Sequence, residues 1–260
     1  MNLIETHAHI YSKKFDADRK EVILRSAENG VRKIYMPNID LSSIDAMLRV
    51  EEDFPDICVP MMGLHPCDVD ADFEKTLYVM EDWLNKRPFA AVGETGIDLY
   101  WDKTYFEQQQ ESLKIHIQWA KERALPVVLH CRESMKETID LVKNINDDKL
   151  SGIFHCFSGT LEQAREIIDM GFYLGIGGTV TYRNSNIGEV LAAIGLEKVV
   201  LETDSPYLAP VPFRGKRNSP EYIPHIAGKI AEHTSLSVGE VADITTRNAM
   251  RIFNLSADEL

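Results

Sequence analysis

The chain has 260 residues, with 41 acidic against 28 basic side chains, a formal net charge of −13 and 44% hydrophobic residues. That length suits one α/β barrel of about 250 residues, while the acidic balance excludes a protein that coats nucleic acid through a broad basic surface. No run approaches the roughly 18 successive apolar residues of a membrane helix, so a soluble protein is expected.

Short apolar runs ending in polar residues recur at 2–6, 31–37, 57–64, 89–94, 126–130, 151–155, 172–176 and 198–202. Several are rich in Val and Ile without strict alternation, as strands covered on both faces of a parallel sheet are. Between them 17–29, 42–54, 72–86, 105–123, 133–146, 161–170 and 187–194 read as helices, and 220–233 and 237–253 add two more. Eight strand–helix units of about 25 to 35 residues predict a single domain over residues 1–260, a closed (β/α)8 TIM barrel. A doubly wound open sheet would need a phosphate-binding glycine fingerprint after the first strand. That run ends instead in His7 and His9.

The amino terminus, Met1 to Ile4 followed by Glu5, lacks the basic lead and small-residue cleavage site of a secretory signal. Cys58, Cys67, Cys131 and Cys156 form no CxxC pair, so reduced thiols and a cytoplasmic location are expected. Cys131 and Cys156 are expected to face the helical layer as small apolar residues.

In such a barrel the chemistry sits at the carboxyl ends of the strands. The first predicted strand ends in His7 and His9, the third in His65, the fourth in Glu94, the fifth in His130, the sixth in His155 and the eighth in Glu202 and Asp204. His7 and His9 are two apart and face the same way on an extended chain, so both can bind one metal ion. Imidazoles and carboxylates following apolar runs are costly to bury without strong partners, and a metal ion supplies them. His116, within a helix, and His225 and His233, on the helix after the last strand, read as helix-face or capping residues.

Basic residues follow several strand ends: Arg132, Arg183, and the group Arg214, Lys216 and Arg217. A guanidinium fork suits phosphate oxygens. Tyr100, Trp101, Tyr182 and Tyr207 share these loops and could stack on bases of a single strand or pack at the rim.

In order, ETHAHI, GLHP, GETGIDLYW, VLHCRES, HCFSG, LETDSPYL, PVPFRGKRNSP and RNAMRIFNL resemble the TatD-like metal-dependent deoxyribonucleases, a family of amidohydrolase-type barrels, from residue 5 to residue 255. The resemblance implies two divalent metal ions. His7, His9 and Asp204 would bind one, His130 and His155 the second, and Glu94 would bridge both, where many related amidohydrolases carry a carbamylated lysine. His65 and Glu202 match positions that contact substrate or a further ion. Glu5 stands where aspartate is more frequent and Cys67 where histidine is often found; the second departure bears on substrate preference.

Two such ions bring four positive charges, of which Glu94 and Asp204 cancel two, and the remaining excess of about +2 favours an anionic substrate. The expected reaction is hydrolysis of DNA phosphodiester bonds with Mg²⁺, Mn²⁺ or Zn²⁺, and the resemblance implies trimming of single strands from a 3′ end; an acidic single domain with no long exposed apolar stripe is compatible with a monomer. Metal ions lower the pKa of bound water, Asp204 would orient that water and take its proton, and His65, Arg132, Arg214 and Arg217 would hold the flanking phosphate. The alternative is hydrolysis of a small lactone, amide or aminoacyl ester on the same centre, since one barrel supports many chemistries. A scaffold with a dead site would show losses among His7, His9, Glu94, His130, His155 and Asp204, and none is lost.

Overall fold

The computed structural model describes residues 1–260. Strands alternate with helices in the order β1 (Leu3–Glu5), α1 (Arg19–Glu28), β2 (Val31–Pro37), α2 (Ile44–Asp53), β3 (Cys58–Met61), α3 (Phe73–Lys86), β4 (Val92–Asp98) and α4 (Phe106–Arg123). There follow β5 (Val127–Arg132), α5 (Met135–Ile145), β6 (Gly152–Phe154), α6 (Leu161–Asp169), β7 (Tyr173–Ile176), α7 (Ile187–Ile194), β8 (Val199–Leu201), α8 (Ile223–Thr234) and α9 (Val238–Ile252). Parallel ladders run through β1–β2–β3 and from β4 to β8. Two seams close the ring: Thr6 N–H donates to Leu201 O at 3.0 Å, and Gly93 N–H to Met62 O at 2.8 Å. The result is the expected (β/α)8 barrel.

The strands carry two apolar faces because successive residues point to opposite sides. Leu3, Ile34, Val127, Leu129, Phe154, Leu174 and Leu201 pack outward against the helices. Ile4, Tyr35, Met61, Val128, Ile153 and Val200 pack inward. The carboxyl end of α9 plugs the barrel beneath them, with Phe253 stacked on Tyr35 at 3.7 Å between ring centroids. Asn248 Nδ2 on α9 donates to Leu196 O and Val199 O at 2.7 and 2.8 Å, tying the plug to the entry of β8. Two residues beyond Val128, Ile153 and Val200, on the same inner face, stand His130, His155 and Glu202. The alternation that builds the plug also aims the polar groups above it.

β4 departs from expectation. The run predicted to end at Glu94 starts later and continues to Asp98, so GETG is strand interior rather than strand end. Its glycines serve close approach rather than a turn. Gly96 has φ +148, and a Cβ there would lie 2.1 Å from His130 O on β5. His116 also differs: it is buried, not a helix-face or capping residue. Its Nε2 accepts Leu64 N–H at 3.0 Å, so the ring proton sits on Nδ1 and is donated to Ser112 O at 2.7 Å. His225 and His233 are exposed, as helix-face residues are.

Gly96→Ala should cost about 2 kcal/mol or more, a fall of roughly 4–8 °C in Tm for a chain of this size. Gly171→Ala, also at positive φ but with nothing within 4 Å, should cost about 1 kcal/mol. Calorimetry giving equal losses would remove the close-approach argument. Burial lowers the His116 pKa from 6.5 to about 4, against the hydrogen bond to Ser112. The folded state therefore refuses a proton that the unfolded chain accepts, and stability should fall as pH drops from 6.5 towards 4, by roughly 3 kcal/mol in all. Denaturant titrations of the wild type and His116→Gln across that window should show the shallower pH slope in the variant.

Candidate metal centre

Above the apolar plug, the carboxylate of Glu94 is buried and ringed by five imidazoles. Its Oε2 lies 3.1 Å from His7 Nε2 and 3.6 Å from His9 Nε2. Its Oε1 lies 2.7 Å from His130 Nδ1, 2.9 Å from His155 Nε2 and 3.4 Å from His65 Nε2. Asp204 completes the set from the β8 side, its Oδ1 3.5 Å from His9 Nε2 and 3.8 Å from His7 Nε2. The rings of His7 and His155 stack at 3.8 Å. Side chains from β1, β3, β4, β5, β6 and β8 thus meet at one point, and the predicted His7, His9, His65, Glu94, His130, His155 and Asp204 are all there. Glu202 lies just beneath, its Oε1 accepting Cys156 N–H at 2.6 Å and standing 3.5 Å from His155 Nδ1.

Hydrogen bonds around the rim decide where the ring protons sit. Tyr11 donates its one hydroxyl proton to Pro37 O, so its oxygen accepts from His9 Nδ1–H at 3.0 Å. The neutral His9 ring then presents an Nε2 lone pair to Glu94 and Asp204. Asp98 accepts from His130 Nε2–H at 3.0 Å, so the neutral form of the ring turns its Nδ1 lone pair towards Glu94. Burial lowers the His130 pKa, but the two carboxylates outweigh it, raise the pKa and favour a proton on Nδ1 as well. His65 is the opposite case. Its Nδ1 accepts Cys67 N–H at 3.1 Å, so the neutral ring carries its proton on Nε2 and donates inward.

These residues fit a divalent cation. Ring nitrogens of His9 and His130 face carboxylate oxygens at 3.6 Å or less, an arrangement that calls for positive charge there, as a proton or as a cation in its place. His7 Nδ1, Glu5 Oε2 and Glu202 Oε2 are buried without a hydrogen-bond partner, although buried polar groups are ordinarily paired. Three overlapping sets place ligand atoms within 4.8 Å of one another: His7, His9 and Glu94; His7, His155 and Asp204; and His65, Glu94 and His130. Mixed nitrogen and oxygen donors suit Zn²⁺ and related ions, with carboxylates extending the range to Mn²⁺ and Mg²⁺. Partners such as Tyr11 and Asp98, which fix the outer nitrogen of a ligand histidine, accompany metal sites of this kind.

The charges follow the same geometry. Burial pushes the Glu94 carboxyl up, but His155, His65, His7 and the His130 hydrogen bond outweigh it and hold Glu94 well below the usual range. Asp204 is likewise pushed up by burial and brought below its ordinary value by His9, His155 and His7. Burial, reinforced by neighbouring His155, lowers His7. Both carboxylates are therefore anionic at neutral pH.

Other expectations separate. Arg132 is exposed, its guanidinium 3.9 Å from the Tyr100 ring centroid and 5.2 Å from that of Trp101. Arg214 lies 4.5 Å over Tyr182. Arg217 is not available for phosphate: its fork grips Asp18 at 2.6 and 2.7 Å and Lys14 O at 2.7 Å, tying the loop after β8 to the loop after β1. Cys131 does face the helical layer, beside Thr138 of α5. Cys156 does not. It sits at φ +48 among Asp204, Glu202 and Glu94, and burial with those charges pushes its thiol well up. Asp98 and Tyr11 were missed by the sequence reading, although each recurs at even spacing from a ligand, Glu94 and Asp98 on one strand face and His9 and Tyr11 beside the other.

Residues 4–254 match the family of TatD related DNases. The chain is 36% identical over 255 residues to an uncharacterized metal-dependent hydrolase of Bacillus subtilis, covering 98% of this chain and all of that protein. It is 29% identical over 259 residues to a 3′-5′ ssDNA/RNA exonuclease TatD of Erwinia tasmaniensis, covering 97% of this chain and all of the other. The crystal structure of a TatD homologue from Escherichia coli superposes with a TM-score of 0.92 at 31% identity, covering 98% of each chain. A Saccharomyces cerevisiae amidohydrolase, 15% identical with a TM-score of 0.85 over 97% of this chain and 99% of its own, shares the fold.

Tyr11→Phe deletes only the oxygen that orients His9 and should weaken divalent-metal binding by about 10–100-fold. Glu94→Ala should abolish it. Titration calorimetry on chelator-treated protein reads both, and wild-type affinity in Tyr11→Phe would end the claim that Tyr11 sets the His9 tautomer.

Proposed function

The chain belongs to the TatD-related DNase family, and from that premise we propose that it hydrolyses DNA phosphodiester bonds, trimming single strands from the 3′ end with two divalent metal ions. The observation that carries the reading is the buried carboxylate–imidazole centre with arginines mounted free of carboxylates beside its mouth. His7, His9 and Asp204 would hold one ion, His130 and His155 the other, with Glu94 between them. When bound, such ions lower the pKa of water and offset charge developing on phosphate oxygens.

The chain's own residues supply the rest. Asp204 is the carboxylate of the centre that reaches solvent, its side chain 15% exposed against 2% for Glu94. Anionic and held by the bond from its own N–H to His7 O at 2.9 Å, Asp204 orients the attacking water and accepts its proton. Glu94 remains an anion on the floor. His65, with its proton on Nε2, donates to a phosphate oxygen rather than binding metal. Arg132, braced on two rings, meets a flanking phosphate with its fork unneutralised. Glu202 lies 3.5 Å from the outer nitrogen of His155, from below. No Ser/His/Asp or Cys/His pair is set out as a nucleophile, and direct attack by water follows.

The flanks of the centre fit this better than a small apolar substrate. Its neighbouring recesses are lined by Asp68, Asp70, Asp98 and Asp102 on one side and by Arg183 and Arg214 on the other, whereas pockets for small neutral ligands are mainly apolar. No helix is long and apolar enough to cross a membrane; a cytoplasmic monomer of one domain completes the reading.

Chelator-treated protein given Mg²⁺, Mn²⁺ or Zn²⁺ should shorten 5′-labelled single-stranded DNA stepwise from the 3′ end. Asp204→Ala should lose about 10²–10⁴-fold in rate. Bound metal without cleavage under any ion would refute the nuclease and leave hydrolysis of a lactone, amide or aminoacyl ester.

A further inference from the structure

Two recesses open on the same carboxyl-end face as the metal centre, and they carry opposite charge. One, of about 320 Å³, lies among the loops after β3 and β4, where Asp68, Asp70, Asp98 and Asp102 stand with Trp101 and Tyr105 and no basic residue. The other, of about 590 Å³, lies among the loops after β6, β7 and β8, lined by Ser158, Tyr182, Arg183, Asn186 and Arg214 with no acidic residue. Each adjoins the centre. Asp98 bonds His130, and the basic recess includes Ser158, three residues after His155.

The basic recess is a fixed structure. Tyr182 donates its hydroxyl proton to Ala209 O at 3.0 Å, and Asn186 Nδ2 donates to Gly159 O at 3.2 Å. Arg214 lies on the Tyr182 face, which orients the guanidinium without neutralising it. Three residues on, Arg217 has its fork filled by Asp18. The two arginines of one loop thus have different tasks, and only the first offers its donors to a ligand.

We propose that the basic recess binds the phosphates of the strand body, on Arg183 and Arg214, and that the acidic recess receives the terminal nucleoside and repels any phosphate beyond it. This deepens the nuclease reading and rests on it. A base and sugar are neutral and can lie against Trp101 and Tyr105, whereas a further phosphate would meet Asp68, Asp70, Asp98 and Asp102. A strand can therefore extend from the centre in one direction only, and the bond presented for hydrolysis is the one next to its end.

The test is the salt dependence of binding of a nuclease-resistant phosphorothioate decathymidylate to the metal-loaded protein. Each single-strand phosphate contact contributes about 0.7 to the slope of log K against log salt, so Arg183→Gln/Arg214→Gln should flatten it by about 1.4. Arg217→Gln should keep the wild-type slope. A wild-type slope in the double variant overturns the subsite, while cleavage of ordinary decathymidylate by the wild type would still uphold the nuclease. Neither binding nor cleavage by the wild type overturns both. A strand ending in a 3′-phosphate should be cut about tenfold more slowly or worse, since opposed like charges are costly, and equal cutting overturns the role of the acidic recess.

Discussion

The burial of one carboxylate against five imidazoles governs this barrel. Glu94 sits beyond the reach of bulk water, where an unpaired carboxylate costs several kcal/mol, and histidines from β1, β3, β5 and β6 must converge to hold it. That convergence requires β4 and β5 to run closer than side chains allow, hence Gly96 opposite His130 O. It also requires a dry floor. The stack of Tyr35 on Phe253, with Ile4, Val128, Ile153 and Val200 around it, closes the barrel below the charges and leaves access from the carboxyl-end face.

The architecture was legible because a strand covered on both faces cannot hide its apolar run, and eight such runs at regular intervals leave few folds. The polar cluster was legible because a histidine directly after such a run has no inexpensive place to go. What escaped depends on contacts that composition does not encode. The glycines around Glu94 placed the strand end too early, since their purpose is the approach of a distant strand, and Asp98 was lost with the end of β4. Tyr11 acts through a single proton, donated to Pro37 O so that its oxygen can orient His9. Arg217 looked like a phosphate ligand because the sequence does not say that Asp18 lies across from it. A left-handed backbone at Cys156 turned a presumed helix-facing thiol towards the carboxylates.

The rim hydrogen bonds divide chemically identical residues by role. His130 and His65 both face Glu94 Oε1, yet one is held from outside by an acceptor and the other by a donor. In the neutral rings the first offers a lone pair inward and the second a proton. Distance groups His65 with the candidate ligands; the Cys67 N–H on its Nδ1 sets it apart from them. The backbone N–H of Cys67 enforces the distinction, so its conformation matters more here than its side chain.

The same economy shapes the mouth. On the proposed function a protein of net charge −13 admits an anionic strand, and a cation paired with a carboxylate adds little to the local potential. Away from the centre several arginines are so paired, among them Arg25 with Glu221, Arg87 with Glu51 and Arg217 with Asp18. Arg87 and Arg217 also lie on rings, of Phe89 and Phe15, but around the mouth Lys14 on Tyr207, Arg132 on Tyr100 and Trp101, and Arg214 on Tyr182 have the ring without the carboxylate. An aromatic face fixes the direction of a cation and lowers the entropy lost when a ligand arrives, but it leaves the charge intact. Tyr207 itself stands 6.2 Å from His9, so one of these supports touches the metal centre. Aromatic rings at such positions let an acidic surface keep a positive entrance, because they orient its cations without cancelling them.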